Sequence, residues 1–302
     1  MSQALPAVSL VAVPGRRQAT LELAREIERR GFAGIYAPSV FANVSLCEAL
    51  AHVTERIEFG TSIAPIYART VGDFAESASF LNEVSGARFR FGIGVSHAPA
   101  HVRMGVSVGK PLSDIRNFVE KLRAHAGSAL PPVILATLRK GMIALAGEIA
   151  QGMVFANGAR SHMGSSLAAL PPSKRDDASF FIGNMIPTCI SDDIEAAKAV
   201  NRRTLSHYAL LANYRNYWKE AGYVEEMTAI EEAVGRKRVE DVPKYLTDAW
   251  LADCTLFGPA ARVREGLEAW YAAGIRTPIV VPSSTAGNQM KAFAELFAAL
   301  AA

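Results

Sequence analysis

Eight times along this chain a short run of apolar residues gives way to an amphipathic helical stretch. That alternation limits the possible folds more than any other feature. The runs are VSLVAV (8–13), GIYAPS (34–39), IEFGTSI (57–63), FRFGIGV (89–95), PVILA (132–136), MVFA (153–156), FFIGNMIPT (180–188) and PIVVP (278–282). They are continuous rather than alternating, so each strand needs cover on both faces, as in a parallel sheet wrapped by helices. Between them lie segments of helical period. In TLELAREIERRGF, Leu21, Ala24, Ile27 and Phe32 mark one face and Gly31 a stop. Ser113 is the expected N-cap of DIRNFVEKLRAHAG. Eight such units in 302 residues predict an α/β fold, a (β/α)8 TIM barrel, as a single domain over 1–302. The residues at about 190–257 then form a helical insertion between strands seven and eight. A doubly wound sheet would carry a glycine-rich first turn, and PGRRQAT after strand one lacks GxGxxG.

Charge and cysteine content narrow the class. Thirty-two basic against 29 acidic residues leave a net +3. That is too little for a nucleic-acid or anionic-membrane surface, though compatible with an acidic small molecule. Cys47, Cys189 and Cys254 are odd in number and form no CxxC. Reduced, buried thiols in a cytoplasmic protein are expected. Near the N-terminus the arginines follow the apolar run, the reverse of a secretory signal, and no segment has the length of a membrane span.

In a barrel of this kind chemistry gathers where strands end. Strand two ends at Ser39-Val40, and strand three at Thr61-Ser62-Ile63, followed by Tyr67. Strand four ends at Gly94-Val95, followed by His97 and His101. Strand five ends at Ala136-Thr137-Leu138-Arg139, and strand six at Asn157-Gly158, followed by Arg160. No Asp/Glu/His set fit for a divalent metal appears. HAPAH lacks the glutamate of HExxH, and no GxSxG elbow occurs. A site so poor in charge must borrow its chemistry from an organic cofactor. Two readings of Gly92 and Gly94 stay open: they let a flat ring approach the backbone, or they relieve crowding inside the barrel. The helix start after Ala136-Thr137-Leu138, with Arg139, Lys140 and Arg160, is either a phosphate seat or a solvated basic end.

IEFGTSIAP, then FLNEVSGARFRFGIGVSHAP, then LATLRKGMIALAGEIAQGMVF resembles the luciferase-like flavin-dependent superfamily. Its patterns run R-I-x-L-G-T-x-V, L-x-x-x-S-x-G-R-F-x-L-G-[LIV]-G and M-x-x-L-A-G-x-x-A-D-G, with Gln151 here at the usual Asp. GVSHAP, GKPLSDIRNFVEKLRA and LANYRNYWKEAGY resemble the branch that uses the deazaflavin F420 more than the FMN branch. The resemblance implies a barrel with a hydride carrier at its C-terminal mouth. It implies cofactor contacts at Ser39, Thr61, Ser62, Ile63, Gly94 and Val95. It places a non-proline cis peptide at Ser62-Ile63, and a phosphate near Ala136, Thr137, Leu138, Arg139, Asn157 and Gly158, with Arg160 for the acidic tail. Sugar-phosphate-oxidising relatives place Asp-His after strand two and Glu after strand four. Here stand Ser39-Val40 and His97, so their substrate does not transfer. His97 is then the candidate proton donor or acceptor, with Tyr67 and His101 lining the substrate pocket. The expected function is F420-dependent hydride transfer with a small organic substrate. The alternatives are an FMN-dependent monooxygenase served by a partner flavin reductase, and a non-catalytic or cofactor-less barrel. The resemblance also implies a homodimer, formed through the second and third helices.

Overall fold

The structure is a computed structural model, and it describes residues 5–39 and 42–300. The elements run β1 (Ala7–Ser9), α1 (Arg17–Arg29), β2 (Gly34–Ala37), α2 (Asn43–Val53), β3 (Glu58–Pro65), α3 (Val71–Val84), β4 (Phe89–Gly94) and α4 (Ala98–Met104). They continue with α5 (Pro111–Ala126), β5 (Val133–Thr137), α6 (Lys140–Ile149), β6 (Gly152–Ala156), α7 (Met163–Leu167), α8 (Pro172–Arg175) and β7 (Phe181–Ile190). Then come α9 (Ile194–Ala209), α10 (Ala212–Glu220), α11 (Val224–Gly235), α12 (Val242–Tyr245), α13 (Asp248–Cys254), β8 (Leu256–Gly258), α14 (Ala260–Ala272), β9 (Thr277–Ser283) and α15 (Gln289–Leu300). The sheet order is β6-β5-β4-β3-β2-β1-β9-β7-β8, and β6 also pairs β7. This is the (β/α)8 TIM-barrel fold, with β8 as a short addition. By contacts the chain divides into two compact units. The first comprises residues up to Phe155 together with Ala168–Gly183; the second comprises Ala156–Leu167 and the chain from Asn184 onward.

All eight expected strands are present, with shifted ends. The first spans Ala7–Ser9, keeping only Val8 and Ser9 of its apolar run. The chain between β7 and β8 is the helical series α9 to α13, and its long helix breaks at Leu210-Leu211 into α9 and α10. The extra strand β8 pairs in parallel with β7, Cys189 opposite Phe257; three residues are too few to show a period. On α1 the buried positions are Thr20, Leu23, Ala24 and Ile27, so Leu23 and not Leu21 completes the face. Ser113 does not cap α5. That helix starts two residues earlier at Pro111, whose fixed φ suits a first turn. Val40 lies outside the described residues.

Two anchors hold the first unit together at the ends away from the strand tips. Glu28 on α1 takes the backbone N–H groups of Arg56 (2.7 Å), Ile57 (2.8 Å) and Glu55 (3.0 Å) at the start of β3. Burial pushes its carboxyl pKa up, but the three amides outweigh this and hold it below the usual value. Arg88, the arginine of the S-x-G-R-F pattern, donates to the carbonyls of Ser85, Ile57, Ala51 and Thr54 and to the Thr54 hydroxyl. Its guanidinium also lies over the Phe59 ring. The motif arginine is therefore a structural tie between β3, β4 and α2. Ala87 occupies the glycine position of that pattern with φ of 62°, which explains why glycine is favoured there. Gln151, at the usual aspartate, still binds β5: its side chain accepts from Val133 N at 2.9 Å and its N–H donates to Val133 O at 2.9 Å.

Candidate active site

The site is best built from the bulge in β3. Its register with β4 runs Phe59 opposite Phe89 and Thr61 opposite Phe91, then Ala64 opposite Ile93. Three steps on β3 thus match two on β4, and the extra residue falls within Ser62-Ile63. The resemblance had placed a cis peptide here. All described peptide bonds are trans, so the chain bends here at a register shift with every bond in the usual form. Asn43, the first residue of α2, holds the bulge in place: its amide donates to the carbonyls of Ile63 (3.1 Å) and Pro38 (3.3 Å). The Thr61 hydroxyl ties it to Gly92 O at 2.7 Å.

The bulge separates the two readings of the strand-four glycines. A Cβ on Gly92 would sit 1.9 Å from Thr61 O and 2.5 Å from Ser62 O. Gly92 is therefore required by backbone crowding within the sheet. A Cβ on Gly94 would meet only side-chain atoms, Ala136 Cβ at 2.9 Å and Ile63 Cγ2 at 3.0 Å. Gly94 thus separates the tips of β3 and β5 without filling the space between them.

Around these tips sit polar groups with nothing to bind. The Ser62 and Thr137 hydroxyls are buried and have no hydrogen-bond partner. Beyond Thr137, Leu138 is buried, while Arg139 is exposed and is the N-cap of α6 without a side-chain cap. Ser39 is exposed. Buried orphan hydroxyls cost stability unless a ligand satisfies them. This donor set, neutral and oxygen-based, suits an organic group with polar edges. Among the described residues no group of three or more His, Cys, Asp or Glu could hold a metal.

After β4 the chain passes Val95 and Ser96, the latter at φ of 62°, to His97, the N-cap of α4. Burial lowers the His97 pKa and the nearby His101 pushes the same way, so its imidazole is neutral at pH 7. His101 turns away. Its Nε2 lies 2.5 Å from Val95 O, and since a carbonyl can only accept, that nitrogen carries the proton. Its ring meets Tyr67 edge-on at 5.5 Å. Tyr67 donates to Asp114 Oδ2 at 2.5 Å, and Asp114 also takes Gly109 N at 2.8 Å. Burial and that carboxylate push the Tyr67 pKa up, so its phenol keeps its proton. Tyr67 and His101 thus brace α4, which buries none of its own residues.

In the second unit, the loop after β6 is built with equal care. Asn157 is left-handed, with φ of 58°. Its carbonyl accepts from Trp218 Nε1 at 3.2 Å, and Ala159 N donates to Tyr217 Oη at 3.0 Å. Ser161 donates twice to Asp253, from N at 2.9 Å and from Oγ at 2.7 Å, and Tyr223 Oη adds a third bond at 2.9 Å. The region between β7 and β8 therefore supplies, through α10 and α13, the clamp on residues 157–161. Asn184 on β7 accepts from Gly158 N at 3.3 Å. Asn43, Asp114, Asn184 and Asp253 were not marked by the sequence, because each acts through a partner distant in the chain.

The family model for luciferase-like monooxygenases matches residues 6–277, and the chain belongs to that family. A protein of Mycobacterium tuberculosis described as a coenzyme F420-dependent oxidoreductase is 24% identical over 280 residues, covering 76% of this chain and 80% of the relative. The 5,10-methylenetetrahydromethanopterin reductase of Methanolobus tindarius is 25% identical over 212 residues, 58% of this chain and 62% of the relative. The fold is shared with the coenzyme F420-dependent tetrahydromethanopterin reductase of Methanopyrus kandleri, at a TM-score of 0.76 and 15% identity, covering 99% of each chain.

Proposed function

We propose that the protein is an F420-dependent oxidoreductase that moves a hydride between the deazaflavin and a small organic substrate. The observation that carries this reading is the set of strand tips in the first unit: orphan Ser62 and Thr137 hydroxyls either side of a side-chain-free Gly94, followed by a neutral, half-buried His97. The names of the two curated relatives support it. When bound, the deazaflavin supplies the two-electron hydride chemistry that this uncharged set lacks. Thr61, Ser62, Ile63, Gly94 and Val95 would hold the ring. Thr137, Leu138 and Arg139 would hold the phosphate at the start of α6. His97 exchanges the substrate proton through its imidazole.

The family description favours one second reading, an FMN-dependent monooxygenase working with a flavin reductase. Fluorescence titration with F420 and with FMN tests both. Micromolar F420 binding with weak FMN binding is expected. The opposite preference would replace the first reading with the second, and binding of neither would remove both. His97→Ala is expected to lower turnover about a hundredfold while leaving F420 binding within a few-fold. Because the folded pKa of His97 lies below its ordinary value, the neutral form persists to lower pH. Wild-type activity should fall only in acid, below the usual histidine range, and the variant should lose that acid limb. An unchanged rate and pH profile would remove His97 from the chemistry.

The three free, buried thiols support a reducing, cytoplasmic compartment. No helix among the described residues is long and apolar enough to cross a membrane. A homodimer through α2 and α3 is part of the same reading. It is supported by Phe80 and Val84 of α3, which are 52% and 37% exposed.

A further inference from the structure

Helix α4 is attached to the first unit differently from its neighbours. α3 buries Phe74, Ala75, Ala78 and Leu81, and α5 buries Ile115, Phe118, Val119 and Leu122, whereas α4 buries none of its residues. Val102 on α4 is 83% exposed, and Val108 just beyond it 45%. Left-handed residues bracket the helix, Ser96 before it at φ of 62° and Gly105 after it at 66°. A polar chain fastens it. Asp114, in the first turn of α5, accepts from the Tyr67 hydroxyl and from Gly109 N; the Tyr67 ring meets the His101 ring; and His101 Nε2 donates to Val95 O. A Cβ at residue 109 would stand 2.6 Å from Asp114 Oδ1, so glycine there lets the carboxylate reach the loop.

We propose that residues 96–110 are a lid, latched by the chain Asp114–Tyr67–His101–Val95, which opens by local unfolding to admit a small organic substrate to His97. This deepens the proposed function and rests on His97 being the group that exchanges the substrate proton. Buried apolar area makes an element costly to open. Polar tethers are cheaper to release, because water replaces each lost hydrogen bond. α4 therefore opens at far lower cost than α3 or α5. A helix of seven residues is not stable alone in water, so release and unravelling are one event. His97 is the N-cap of this helix and is half-buried, so the same event uncovers its imidazole. Ser96 and Gly105 stand at the ends of the helix, where a hinge absorbs the backbone change.

The test uses the ligand-free protein and two readouts resolved by peptide mapping: amide hydrogen exchange, and acylation of His97 by diethyl pyrocarbonate. In wild type the amides of α4 should exchange about a hundredfold faster than those of α5, or faster still. Tyr67→Phe removes the hydroxyl that Asp114 holds, and His101→Leu removes the donor to Val95 O. Each is expected to speed α4 exchange about tenfold and to raise His97 acylation severalfold with it. Exchange of α5 should not change, and the melting temperature should move by no more than about 2 °C. Exchange of α4 as slow as that of α5 would overturn the lid. So would faster α4 exchange with unchanged His97 acylation, since the segment would then move without gating the imidazole. Faster exchange throughout the first unit with a lower melting temperature would make the chain a structural brace and overturn it as well. Neither readout uses a cofactor. Failure of wild type to bind F420 or FMN is read in a separate titration and would remove the proposed function, not the measured opening.

Discussion

Gly92→Ala is expected to destabilise the protein by about 4 kcal/mol and to lower its melting temperature by about 10 °C. The new methyl carbon would sit 1.9 Å from Thr61 O, 2.5 Å from Ser62 O and 2.8 Å from Ser62 C. These are backbone atoms of a strand held by Asn43 and by its pairing with β4, so none can turn aside as a side chain would. Relief requires the bulge to open, which breaks the Thr61–Gly92 hydrogen bond and the register beyond it. Gly94→Ala makes the contrast. Its Cβ meets Ala136 Cβ and one methyl of Ile63, and Ile63 is only half-buried and can shift. The melting temperature should drop by only a few degrees, while affinity for the deazaflavin falls at least tenfold because the space between the tips of β3 and β5 is filled. Thermal unfolding and cofactor titration of both variants separate the roles. Equal losses of stability would mean that both glycines serve packing alone.

The fold was readable because its signal is repeated. Each strand is a continuous apolar run and each helix carries a stop or a polar face, so an error of two residues at an end changes nothing in the order. What could not be read was of two kinds. β8 is three residues long, and the break at Leu210-Leu211 has no glycine or proline to announce it. The second kind is the partner. FGIGVSHAPAH shows that something happens at the end of β4, but not that Gly92 answers to a bulge in β3 while Gly94 separates the tips of β3 and β5. Nor does it show that His101 is spent on Val95 and Tyr67 on Asp114. Residue type announces a capacity to donate, accept or ionise; only the fold shows whether that capacity is already used. Tyr67 and His97 both looked fit for proton transfer. The structure gives Tyr67 a carboxylate partner, and burial holds His97 neutral at the N-cap of α4.

Asp253→Ala is expected to cost about 2 kcal/mol, and to loosen residues 157–161 before the rest of the second unit. Asp253 is 7% exposed and accepts from Ser161 N, Ser161 Oγ and Tyr223 Oη. Truncation takes the carboxylate from three part-buried donors, of which those on exposed Ser161 can turn to water while half-buried Tyr223 cannot do so freely. Each loses a hydrogen bond to a carboxylate, and the space left behind adds its own penalty. The Tyr223 pKa, now pushed up by burial and by the Asp253 charge, should move back toward its ordinary value, which ultraviolet titration of the tyrosines would register. Because Trp218 donates to Asn157 O, its fluorescence reports on the same loop and should shift in the variant well below the melting temperature. Asp253→Asn keeps the shape but turns one acceptor into a donor against Ser161 or Tyr223, so an intermediate loss is expected. If the loop is the working part of the second unit, cofactor affinity should fall in the same order, alanine below asparagine below wild type. A variant that melts early yet binds normally would show that α10 and α13 support the unit as a whole and that residues 157–161 need no clamp to bind.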